Sequence, residues 1–159
     1  MRRKRIGMGA ALAVGTLAVT GLAFAPTAAA VTPDTATITA DCGAFGGGEA
    51  TLTATQDGTA ATVTLTSSAI TAPIALSADS ITSDLTFVNN TTGGTTSFTG
   101  TENPAMAAGD PVTVGPLSGT VASGDSLEAY GGSLTMTVFG ITITCTATAA
   151  QSPGPFVFD

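Results

Sequence analysis

The chain has no histidine and no tryptophan, a single tyrosine, and only two cysteines among its 159 residues. Its only basic side chains are Arg2, Arg3, Lys4 and Arg5, so no lysine or arginine follows position 5. Each absence removes a class of chemistry. Without histidine or a later lysine, neither a Ser–His–Asp triad nor a Ser–Lys dyad can be assembled. Without a later arginine there is no bidentate clamp for phosphate or carboxylate. Zinc would find carboxylates and two thiols but no imidazole. No phosphate-loop or dinucleotide glycine pattern occurs, and Gly46-Gly47-Gly48 reads as a flexible turn.

The four basic residues precede an apolar run from Ile6 to Ala25 and then the small residues Ala28-Ala29-Ala30. Charged, apolar and small-residue regions in this order are those of a secretory signal peptide. Ala28 and Ala30 supply the small side chains required at −3 and −1, which makes Val31 the expected mature N-terminus; cutting after Ala25 would leave Pro26 at +1. An uncleaved anchor is the competing reading, since the run is long enough to span a bilayer. Its four glycines and the good cleavage site argue against it. Arg2-Arg3 lacks the flanks of a twin-arginine signal, so Sec export is expected, with a product secreted or held at the envelope by noncovalent contacts.

Removing residues 1–30 leaves 129 residues, enough for one domain with its own core. We assign 31–150 to that domain and 151–159 to a C-terminal tail. All eleven acidic residues lie in the mature part, so its side-chain charge is −11. Such a surface repels a phosphate backbone, which excludes nucleic acid as a partner, and it repels anionic membrane surfaces equally. Side-chain salt bridges cannot form there. Stability must come from apolar burial, backbone hydrogen bonds and a disulfide, and salt should raise it by screening self-repulsion.

Threonine is the commonest mature residue, 28 of 129. It alternates with Ile, Leu and Val rather than with Pro and Ser, which indicates outward strand positions and not a disordered stalk. Cys42 and Cys145 both lie in the exported part and should pair in an oxidising compartment. Each continues its strand's apolar phase, Ile38-Ala40-Cys42 and Ile141-Ile143-Cys145, so the bridge is expected to be buried. Closing a loop of about 100 residues is worth roughly 4–5 kcal/mol in chain-entropy models.

Alternating runs at Thr35–Asp41, Ala50–Gln56 and Thr59–Ser67 begin the domain, the last two joined by a hairpin at Asp57-Gly58. That pairing sets Leu52 and Ala54 against Val63 and Leu65. Ile70–Leu76 carries Pro73 and reads as an edge strand or loop. Ile81–Val88, Ser97–Gly100, Pro111–Val114, Leu117–Val121, Ser133–Val138 and Ile141–Thr148 are further strands, and Ser126–Tyr130 is expected to form one helical turn. The apolar phase switches across Phe139-Gly140, as a two-residue hairpin or a glycine bulge would make it do. Phe87, Phe98 and Phe139 read as core, and Phe156 and Phe158 as packing back onto it or as an exposed contact. Eight or so short strands with regular turns predict an all-β fold, an antiparallel β-sandwich of immunoglobulin-like, Greek-key type.

The layout of Pro111–Val114, the Ser133–Ile143 pair and the closing Cys145-Thr146 resembles that of small secreted β-domains common in high-GC actinobacteria. In those domains a cysteine likewise follows the first strand and the last strand carries Cys-Thr. The usual proline after Cys-Thr is absent, Ala147 standing there instead. The resemblance implies an exported β-sandwich and brings no activity, cofactor or mechanism with it.

Two carboxylates alone could run glycoside hydrolysis, with Asp79 and Asp84 or Asp125 and Glu128 as pairs. A chain with no tryptophan and one tyrosine offers little aromatic platform for sugar. The same residues are calcium candidates, because hard cations take several oxygen ligands, but neither stretch matches a known calcium loop. Asn89, Asn90 and Asp57 read as plain turn residues. The expectation is a noncatalytic protein without cofactor, acting through surface contacts with an envelope or extracellular protein or glycan. The alternative is an extracytoplasmic carrier for a small apolar ligand, which requires a cavity of a few hundred cubic ångströms.

Overall fold

A computed structural model describes residues 30–159. The expectations for the export segment, including Ala28, lie outside the described residues. Ala30 is exposed, and Val31 is already part of the core.

Nine strands form in chain order: β1 (Thr35–Asp41), β2 (Gly47–Asp57), β3 (Ala60–Thr71), β4 (Thr82–Asn89), β5 (Gly94–Gly100), β6 (Pro111–Thr120), β7 (Ser126–Val138), β8 (Ile141–Ala147) and β9 (Phe156–Val157). Their lateral order is β4-β5-β6-β3-β2-β1-β8-β7, and β7 pairs again with β4. The first eight strands therefore close into an antiparallel barrel, with β9 added on β7. All-β architecture is as expected, but the open sandwich is not. Alternation along a strand is identical in a sandwich and a barrel. What separates them is whether the last edges pair, and here both edges of β4 are taken, by β5 and by β7.

Irregularities make the closure feasible by coiling the strands. β6 runs unbroken through Gly115-Pro116, where one residue of β3, Thr64, opposes two of β6 between Val63–Leu117 and Leu65–Val114. The expected break into two strands is thus a bulge in one. β7 carries a second irregularity at Gly131-Gly132, opposite the Thr86–Val88 stretch of β4. It shifts the buried phase from Leu127 and Ala129 to Leu134 and Met136. A Cβ on Gly132 would run into the Thr86 carbonyl, so only glycine fits. Ser126–Tyr130 is consequently strand and not a helical turn: it pairs with β4 on one edge and β9 on the other.

The β2–β3 hairpin has the expected register, Leu52 opposite Leu65 and Ala54 opposite Val63. Threonines line the outside as cross-strand hydroxyl pairs, Thr55–Thr62 at 2.7 Å and Thr66–Thr113 at 3.3 Å among them. That arrangement explains why threonine is so abundant.

The strand directions give the barrel two ends. One receives the turns at Gly58, Asn90–Gly93 and Ala122–Asp125. It is closed by the tail. Ser152 pairs with Thr37, Val157 with Thr32 and Ser126, and Phe156 with Leu127, so the tail fills the gap that short β8 leaves between β1 and β7. Phe156 and Phe158 are fully buried. Phe87 meets Phe98 and Phe156 edge to face, with ring centroids 5.6 and 6.1 Å away. Gly119 opposite Phe98 leaves room for that ring, which a Cβ would approach to 2.6 Å.

Candidate functional site

The opposite end, the mouth, is built from four segments: the 3-10 turn Gly43–Phe45 between β1 and β2, the β3–β4 connection 72–81, the β5–β6 connection 101–110, and the β7–β8 hairpin. The β3–β4 connection has to cross this end because β3 pairs with β6 and β4 with β5 and β7. Its path is fixed by the β5–β6 connection. Leu76 and Met106 exchange backbone hydrogen bonds of 2.8 and 2.9 Å. The buried Asn103 side chain accepts from the Ser80 and Ile81 amides and donates to the Ser77 and Pro104 carbonyls. Three of these four bonds hold the two loops together, and the fourth stays within the β5–β6 connection.

The first mouth segment is anchored by the disulfide. Cys42 and Cys145 are bonded, 103 residues apart in sequence and both buried. The bond staples β1 to β8, strands that share only the Ala40–Ala147 and Asp41–Thr146 ladder pairs. Asp41 accepts from the Gly43 amide at 2.8 Å and shapes the turn that carries Phe45 outward.

The 3-10 turn, the β3–β4 connection and the β7–β8 hairpin border a pocket of about 370 Å³, to which β6 adds Val112. Cys42 and Met136 lie among the residues around it, Ile70, Leu76, Ile81, Val112 and Val138 add aliphatic surface, and Thr71 carries the one hydroxyl. No charged side chain borders it. Four large hydrophobic residues are exposed there: Phe45, Ile74, Phe139 and Ile141. Phe139 was expected in the core, yet 71% of it faces solvent. The reason is its place at the tip of a two-residue hairpin, with Val138 paired to Ile141. Phe139 and Gly140 have φ of 49° and 78°, the left-handed pair of a type I′ turn. Asn-Gly is the usual choice there. Phenylalanine in that conformation costs roughly 1 kcal/mol, and burial does not offset it, since the ring is mostly in solvent.

The carboxylate candidates are divided between the ends. Asp79 and Asp84 lie toward the mouth, in the β3–β4 connection and early β4, whereas Asp125 and Glu128 lie at the closed end. Asp125 accepts from the Ala122 amide at 2.8 Å, and Glu128 accepts from the Tyr130 and Gln151 amides at 3.0 and 2.9 Å. Those two carboxylates shape turns and hold the tail. Among the described residues no cluster of three or more acidic, cysteine or histidine side chains could hold a metal ion, and no helix is long and apolar enough to cross a membrane.

The sequence reading missed the mouth as a site, although Phe139-Gly140 was already legible as a hairpin. An aromatic residue at a turn tip was the available signal. No family model, no curated protein and no solved structure matches this chain.

Proposed function

We propose that the protein is an exported, noncatalytic binding protein that holds a neutral apolar molecule in the mouth of its barrel. The observation that carries this reading is the pocket of about 370 Å³, rimmed by exposed Phe45, Ile74, Phe139 and Ile141. Its size falls within the usual range for small-molecule sites, and its lining is that of an apolar one. Charge selects among apolar ligands. The 129 residues after the expected cleavage site contain eleven acids and no base. A fatty acid or an anionic phospholipid headgroup would find no counterion and would be repelled, while a long-chain alcohol or another uncharged lipid would not. Export is supported by the Arg2–Arg5, Ile6–Ala25 and Ala28–Ala30 pattern and by a disulfide that suits an oxidising compartment.

The test is titration with N-phenyl-1-naphthylamine, a neutral probe that brightens in apolar sites. Saturable one-site binding, displaced by dodecanol far better than by laurate, is expected. Absence of saturable binding would remove the ligand reading. The solvent-exposed Phe139 favours a second reading, in which the apolar rim is a contact for an envelope protein or glycan.

A further inference from the structure

Adjoining the mouth lies a second, smaller space of about 40 Å³, partly open to solvent. Cys42, Ile70, Val112 and Met136 border both spaces and so form the wall between them. Building on the ligand reading above, we infer that this wall is a gate, that Met136 is its moving part, and that the ligand is a linear hydrocarbon chain whose end passes Met136 into the inner chamber.

The four wall residues differ in freedom. Cys42 is fixed by its bond to Cys145. Ile70 and Val112 are β-branched and stiff at χ1, on strands β3 and β6. Met136 is unbranched, with three rotatable bonds and a polarizable sulfur that tolerates changing contacts. It alone can swing aside without moving backbone. The inner chamber exists because its far wall is made of small residues, Ala40, Ala50, Ala129 and Ala147 among them. Close-packed interiors seldom leave such a space unfilled. Most of its lining is aliphatic, so it suits a hydrocarbon end better than a polar group. Its volume has room for only a few methylenes. Met136 therefore determines the longest chain the protein accepts.

The experiment is displacement of N-phenyl-1-naphthylamine by straight-chain alcohols from octanol to octadecanol. It uses the disulfide-bonded protein as its host produces it. Affinity should rise about fourfold per added methylene and then level off at the length that fills both chambers. Ala50→Val fills the inner chamber without bordering the mouth, so levelling should begin at a shorter alcohol while octanol affinity stays unchanged. Met136→Ala opens the wall, and levelling should begin at a longer alcohol. One variant adds volume and the other removes it, so a shared folding defect cannot produce opposite shifts. Alcohols that bind but level off at the same length in all three proteins would overturn the gate while leaving the mouth as the binding site. Failure of every alcohol to displace the probe would instead overturn the ligand reading on which the gate rests.

Discussion

The two ends of the barrel use the same residue types to opposite ends. At the closed end Phe156 and Phe158 are fully buried, Phe156 packs edge to face on Phe87, and backbone bridges tie the tail to β1 and β7. At the mouth Phe45 and Phe139 stand out in water beside Ile74 and Ile141. Burial explains the first set. Nothing in the folding of the barrel requires the second, and Phe139 is held in a conformation that phenylalanine disfavours. Buried aromatics and exposed ones are told apart here by what they gain from folding, not by their position in sequence.

The sharpest ways to break this comparison start with the staple between β1 and β8. Replacing Cys42 and Cys145 together by serine should lower unfolding free energy by about 2–5 kcal/mol, read from urea melts. Because Cys42 also borders the pocket, probe binding should weaken in the same variant. Phe156→Ala should cost about 3–5 kcal/mol, since a fully buried ring is replaced by a cavity. Asn103→Ala, which leaves the amides of Ser80 and Ile81 without their acceptor, should cost about 1–3 kcal/mol. It should also weaken probe binding by loosening the mouth loops while the closed end keeps its protection from amide exchange. Phe139→Asn should have the opposite sign, raising stability by up to about 1 kcal/mol, because asparagine suits the left-handed turn and no buried contact is lost. The smallest effect is global. Raising salt should stabilise the protein modestly at both ends, because residues 31–159 carry eleven carboxylates and no basic side chain.

Features set by local periodicity were readable in the sequence. Leu52 and Ala54 alternate with threonines, and Asp57-Gly58 fixes their register against Val63 and Leu65. Cys42 and Cys145 each continue an apolar phase, which placed both thiols inside. Features set by encounters between distant segments were not. Barrel closure depends on β7 bending at Gly131-Gly132 so that β4 can pair along it, and two glycines following Tyr130 do not announce a partner about 45 residues upstream. The mouth draws on residues from 42 to 45, 70 to 81 and 136 to 143 and on Val112, which only the fold brings together. Asn103 is inconspicuous, a single amide before Pro104, and three of its four partners lie on another loop more than 20 residues upstream.

The central claim, that the mouth is the binding end and the closed end is structural, is tested most directly by one matched pair of exposed positions. Phe139 lies at the mouth and Val157 at the closed end, 71% and 40% exposed. N-phenyl-1-naphthylamine would be titrated against the native protein, Phe139→Asn and Val157→Asn. The account predicts an affinity loss of about fivefold or more for Phe139→Asn, with stability kept or raised, and no change for Val157→Asn. Equal losses in both variants, or undiminished binding in Phe139→Asn, would contradict it.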